Sequence, residues 1–114
     1  MEFEIIRLLA QSRPSGTSAV TAYTKVTRRL TTITHILICN TTGSAANASV
    51  YYDADGTTYD ETTAIVFDTP IPANDQMVIE VPWTMDQTGA TVGIKTGTGS
   101  ALTFSIFGLT RDFV

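Results

Sequence analysis

The side chains that carry acid–base, nucleophilic or metal chemistry are few in this sequence. There is one histidine, His35, and one cysteine, Cys39. A zinc centre needs a tetrahedral set of nitrogen and sulfur ligands, which one His and one Cys do not supply within the chain. His35 alternates with Ile33 and Leu37 along an apolar run, a spacing that predicts all three on one face of a strand. A packed histidine suits that setting better than a general base. Cys39 ends the run Ile36-Leu37-Ile38 and reads as a small buried hydrophobe; alone, it has no internal disulfide partner. Gly97-Thr98-Gly99-Ser100 has neither the lysine nor the spacing of a phosphate-cradling loop and reads as a hairpin turn.

The one cluster of potential ligands is Asp53-Ala54-Asp55-Gly56-Thr57-Thr58-Tyr59-Asp60-Glu61. Alternating carboxylates resemble the first half of a calcium loop, because calcium gathers about six to eight oxygens. A calcium-binding hand starting at Asp53 would need glycine in place of Thr58 and a bidentate acid in place of Ala64. Asp55-Gly56 is also a hairpin signal, with glycine supplying positive φ. The segment is read first as a turn and second as a cation loop formed by Asp53, Asp55, Asp60 and Glu61. Trp83, with Tyr51, Tyr52 and Tyr59, offers a platform on which a sugar ring would stack; the competing reading is core or interface packing, since Trp83 follows Pro82 at a strand end. No residue set combines a nucleophile, a base and an orienting group. The chain is expected not to be an enzyme and to use no cofactor.

Charge excludes two partner classes. The formal charge is −4 over 114 residues, with a pI near 4.6, which gives no net attraction to nucleic acid or to an anionic membrane. The distribution is uneven. Arg7, Arg13, Lys25, Arg28 and Arg29 all precede residue 30, and no Lys or Arg occurs from Leu30 to Ile94, a stretch with eight acids from Asp53 to Asp86. The expectation is one acidic surface and a basic patch elsewhere, either plain solvated loops or two poles that attract different surfaces in an assembly.

The elements that would hold these residues are strands. Threonine occurs 21 times and serine 7, about a quarter of the chain, and β-branched Thr favours pleated surfaces over helices. Short apolar or alternating runs recur between Gly, Pro, Asn and Asp clusters, with no sustained helical period. Eight strands are predicted, near residues 2–10, 19–27, 30–40, 47–53, 63–68, 76–82, 90–96 and 101–109. The fold expected is all-β: a single β-sandwich domain over residues 1–114, of jelly-roll type, since two sheets bury a core that one sheet does not. The N-terminal sequence has no secretory-leader pattern and no apolar span fits a bilayer helix. Synthesis in a cytoplasm is expected, and the sequons at Asn40 and Asn47 read as chance.

Several strands are apolar on both faces, more than a monomeric sandwich needs. Alternation predicts Phe3, Ile5 and Leu9 on one face of the first strand and Ile6 and Leu8 on the other. Ile36-Leu37-Ile38, Ala64-Ile65-Val66-Phe67 and Phe104-Ser105-Ile106-Phe107 repeat the pattern. Part of this surface is expected to be covered by other subunits.

Taken in order, several phrases resemble small all-β virion proteins of tailed bacteriophages of the marine and cyanobacterial type. They are Leu9-Ala10-Gln11-Ser12-Arg13-Pro14, Ile38-Cys39-Asn40-Thr41, the segment from Tyr52 to Ala64, Pro70-Ile71-Pro72-Ala73-Asn74-Asp75, and Leu102 to Gly108. The most specific is Asp55-Gly56-Thr57-Thr58-Tyr59-Asp60-Glu61-Thr62-Thr63; Leu109 to Val114 lies beyond the match. The resemblance implies a non-enzymatic virion structural protein, located in the virion after synthesis in the host cytoplasm. The first expectation is a capsid decoration or cement protein, a homo-oligomer such as a trimer, docked on the major capsid protein. Arg7, Arg13, Arg28 and Arg29, with Ile6 and Leu8, would form the docking surface, and the Asp53–Glu61 loop would face outward. The alternatives are a neck, tail or fibre component, or a host- or carbohydrate-recognition module using Trp83.

Overall fold

A computed structural model describes residues 5–80 and 82–112. Nine strands form: β1 (Arg7–Ser12), β2 (Val20–Thr24), β3 (Arg29–Asn40), β4 (Ala46–Asp53), β5 (Ala64–Ile71), β6 (Gln76–Ile79), β7 (Trp83–Met85), β8 (Thr91–Thr96) and β9 (Leu102–Asp112). They build two antiparallel sheets. The first runs β1-β9-β3-β6, with β7 also on β3; the second runs β2-β8-β4-β5. β6 pairs with Ile36–Cys39 and β7 with Thr31–Ile33, so the two lie end to end along one edge of β3. Counted as one interrupted strand, they give two four-stranded sheets with the strand order of a jelly roll. The expected sandwich is therefore the observed one. The single strand expected over 76–82 is interrupted because Pro82 has no N–H for the ladder. No described helix is long and apolar enough to cross a membrane.

Two other expectations shift. The first strand begins at Arg7, and Phe3 lies outside the described residues. The last strand continues past Leu109, pairing Leu109 to Asp112 with Thr32 to Arg29. It thus gives the unmatched tail a structural role.

The core lies between the sheets and draws on alternate residues of each strand. Ile33, Ile36, Ile38, Phe104 and Ile106 come from the first sheet and Val50, Val92 and Ile94 from the second, all at most 1% exposed. Ile36 stands between Ile106 and Ile79 at mid-sheet, where truncation to alanine costs about 2–5 kcal/mol.

A β-bulge at Thr34, between Ile33 and His35, corrects the expected facing of β3. Ile33 points into the core, while His35 and Leu37 point out, because the extra residue inverts the alternation. Gly108, opposite Ile33, accommodates this bulge: a Cβ there would collide with the Thr32 carbonyl oxygen and touch Leu9 Cδ1. A second bulge, at Leu9, turns Leu9 and Ala10 toward the core and leaves Leu8 outside at 47% exposure.

Candidate docking faces

The middle of the second sheet's outer face, over β2, β8 and β4, is covered by the chain itself, while Ile65 and Phe67 on the edge strand β5 stay 39% and 50% exposed. The segment after β4 folds back so that the Tyr59 ring lies over Gly93 of β8, where an added Cβ would sit 2.6 Å from ring carbons. The ring also stacks on Tyr51, centroids 5.7 Å apart. Tyr59 donates its one hydroxyl proton to Thr91 Oγ1 (2.8 Å), so Thr21 Oγ1, 2.6 Å away, must donate to Tyr59. Thr91 passes its own proton to the Gly56 carbonyl. A directed chain of hydroxyls thereby pins the loop across β2 and β8, and Tyr51, on the outer side of β4, is 2% exposed.

The acids of this loop serve the turn. Asp53 Oδ1 accepts from the Asp55 N–H (3.1 Å) and Oδ2 from the Thr58 N–H (2.7 Å). These bonds hold the Asp53 carboxyl below its ordinary value, and bonds from the Thr62 hydroxyl and N–H do the same for Asp60. Asp55, Asp60 and Glu61 point to solvent. Among the described residues, no group of three or more His, Cys, Asp or Glu is placed to hold a metal ion. The turn reading thus describes the geometry, and the carboxylates of the expected cation loop, Asp53, Asp55, Asp60 and Glu61, are not brought together.

The basic residues divide between the two ends of the sandwich. Arg7 donates to Thr110 Oγ1 (2.7 Å) and Arg29 to the same oxygen (3.3 Å). Arg28 is exposed at the β2–β3 turn with φ 68°, a left-handed conformation that disfavours side chains with a Cβ. Arg13 is at the far end, its guanidinium on the Ser100 carbonyl. Lys25 is 5% exposed in the β2–β3 connection. The expected single basic surface with Arg13 is therefore not formed. Nor is it opposed to the acidic loop: β2 ends and β3 begins beside Asp53, since Thr24 and Asp53 both pair with Thr91. Arg28, Arg29 and the acidic loop share one end of the sandwich. An orientation with basic end inward and acidic loop outward is excluded by this topology.

Trp83 turns inward. It packs against the core, tilted on Tyr52 with centroids 6.0 Å apart, and its Nε1 is buried without a hydrogen-bond partner. Burial, followed by the nearby Asp86 and Asp53 charges, raises the Tyr52 hydroxyl above its ordinary value. Tyr51 and Tyr59 are likewise in mutual contact, so each of these aromatics packs on the core or on another ring. Asn40 is likewise structural: 1% exposed, its amide donates to the Ser44 and Ile71 carbonyls, which makes it unavailable as a sequon.

The outer face of the first sheet has a different character. Leu8, Phe107 and His35 form one row across β1, β9 and β3, and Gln11, Ser105, Leu37 and Val78 form the next. His35 stacks on Phe107 with centroids 4.7 Å apart and planes 16° from parallel, and its Nδ1 lies 3.1 Å from Thr34 Oγ1. Val78 is 44% exposed, and Ile6, leading into β1, is 57% exposed. Cys39, expected to be buried, is half-buried on this face between Thr103 and Gln76. Leu37, Phe107 and Leu8 are legible in the sequence as surplus apolar residues. Val78 and the Gly93–Tyr59 contact are not, although a glycine between Val92 and Ile94 in a strand is itself a signal of close approach.

No protein-family model and no curated protein matches this chain. Among solved structures, the nucleoplasmin-like N-terminal domain of Drosophila FKBP39 aligns with 97% of this chain and 93% of its own at a TM-score of 0.51 and 12% identity. A chain from the structure of infectious bursal disease virus Gx strain aligns over 96% of this chain and 32% of its own, at 0.47 and 11% identity. At such identities the first likeness is one of fold, a whole β-sandwich domain, and the second carries nothing further.

Proposed function

We propose that this chain is a structural protein of a bacteriophage virion, a capsid decoration protein that associates with itself and docks on the shell without catalysis. The observation that carries the reading is the apolar outer face of the first sheet, over which no described segment lies. The jelly-roll fold and the phage-like phrases, above all Asp55 to Thr63, support it. So does the use of the sequence's few chemically active side chains in packing and turns: His35 stacked, Asp53 and Asp60 capping, Trp83 inward.

In this reading the end bearing Arg7, Arg28 and Arg29 meets the shell. Because the acidic loop shares that end, the docking surface presents both signs of charge, which favours register and specificity over bulk attraction. Many copies on a lattice then gain by avidity. The test is quantitative mass spectrometry of purified particles, counting this protein against the major capsid protein. A fixed simple ratio to the capsid subunit is expected. A small number of copies per particle would move the protein to the neck, tail or fibres, and absence from particles would overturn the virion reading.

A further inference from the structure

The first sheet's outer face is broad, continuous and without a covering segment among the described residues. Its centre is the stacked pair His35 and Phe107, flanked by Leu8 on β1, Leu37 on β3 and Val78 on β6. The polar groups among them are neutral, Ser105 and Gln11 being bonded to each other at 2.9 Å. The charges nearest this face are Glu80, one residue past Ile79 and so on the β6 edge near His35, and Arg111 near the end of β9. A surface whose centre is apolar and whose charges are few favours an apolar partner, and a second copy of the same face supplies one.

Its size is toward the small end of specific interfaces. The strands of this sheet hold 36 residues; at about 3.3 Å per residue and about 4.8 Å between strands, the face covers roughly 570 Å². A standard stable interface buries about 800 Å² on each partner. On the other sheet Tyr59 covers the middle of the face over Gly93 and Tyr51, and the exposed apolar residues left there, Ile65 and Phe67, are confined to the edge strand β5.

We propose that this face packs on the same face of a second copy, sheet against sheet about a two-fold axis, so that the His35–Phe107 pair lies near the centre of the contact. This deepens the self-association within the reading above and names the surface that mediates it. It leaves the mixed-charge end of each copy free for a lattice.

The experiment is the mass of the full chain in solution, by sedimentation or light scattering across protein concentration. The wild type is expected to reach twice the chain mass of 12.3 kDa or an even multiple of it. Val78→Lys and Leu8→Lys place charges at partly exposed positions that the monomer tolerates, and each is expected to halve the mass while circular dichroism stays unchanged. Phe67→Glu, the same kind of change at a 50% exposed position of the other sheet, is expected to leave the mass as it is. Maleimide labelling of Cys39, on the same face, should slow on association and recover in Val78→Lys. A wild type that stays monomeric, or an oligomer that survives both lysine variants, would overturn the proposal. Neither result depends on the copy number in virions, so the failure of this interface and the failure of the virion reading are separable.

Discussion

The two sheets of this sandwich solve the same problem in different ways. Each has an outer face with more apolar surface than water tolerates well, and each includes a residue placed there by a local irregularity. Over the middle of the second sheet the solution is internal: Gly93 removes a side chain, Tyr59 lies in the space, and three hydroxyls hold it, which leaves Ile65 and Phe67 exposed on the edge strand β5 only. On the first sheet the bulges at Leu9 and Thr34 leave Leu8, His35 and Leu37 outside, and no described segment lies over them. The difference separates a face whose energetics belong to folding from one whose energetics belong to association. Substitutions on the covered face should therefore change stability, and those on the open face should change assembly.

The sharpest break of that comparison is Gly93→Val, which drives a branched side chain into the Tyr59 ring. It is expected to lower unfolding free energy by about 3 kcal/mol, read by denaturant titration, with Tyr51 becoming accessible to a fluorescence quencher. A change below the scatter of such a titration would mean that the loop does not stabilise the fold. Tyr59→Phe keeps the ring and removes the hydroxyl that joins Thr21 to Thr91. A loss of about 1 kcal/mol is expected, so Gly93→Val and Tyr59→Phe together apportion the latch between packing and hydrogen bonding. Arg28→Gly works in the other direction. It relieves a left-handed residue at φ 68° and should stabilise by about 0.5–1 kcal/mol in calorimetry, while occupancy on particles falls; stabilisation with full occupancy would remove Arg28 from the docking surface.

Acid should loosen the covered face before the open one. Asp53 and Asp60 have folded-state values lowered by hydrogen bonds, so their contribution is complete above the ordinary carboxylate value of 3.8 and is lost as pH falls below it through the folded values. The amide resonances of Asp55, Thr58 and Thr62 should titrate in that acid range, and an inflection at or above 3.8 would reject the capping account. The smallest expected effect on folding is Val78→Lys, within about 0.5 kcal/mol for the monomer. A large destabilisation of a dilute, monomeric sample would show that Val78 belongs to the core.

Much of the scaffold is legible in the order of residues alone. Threonine content, alternation and turn residues locate the strands to within a few positions; the double-faced runs at Leu37 and Phe107 fall on the open sheet, and the run Ala64 to Phe67 falls on the exposed edge of the other. What misleads is alternation carried through bulges. It assigns His35 to the face of Ile33, because one extra residue in a strand has no sequence signature of its own. Charge clustering misleads for a related reason. Arg13 lies six residues from Arg7 in sequence and at the opposite end of a strand, while the acidic loop, far from Arg28 in sequence, lies at the same end.

By itself, then, the sequence determined the sandwich and the approximate position of most of its strands, because these depend on residue type and on spacing within one strand. Only the tertiary structure decided which outer face is open, which end holds the charges, and that Asp53 and Tyr59 serve as cap and latch. Those properties arise from register, bulges and crossovers between the sheets, where residues far apart in the chain become neighbours.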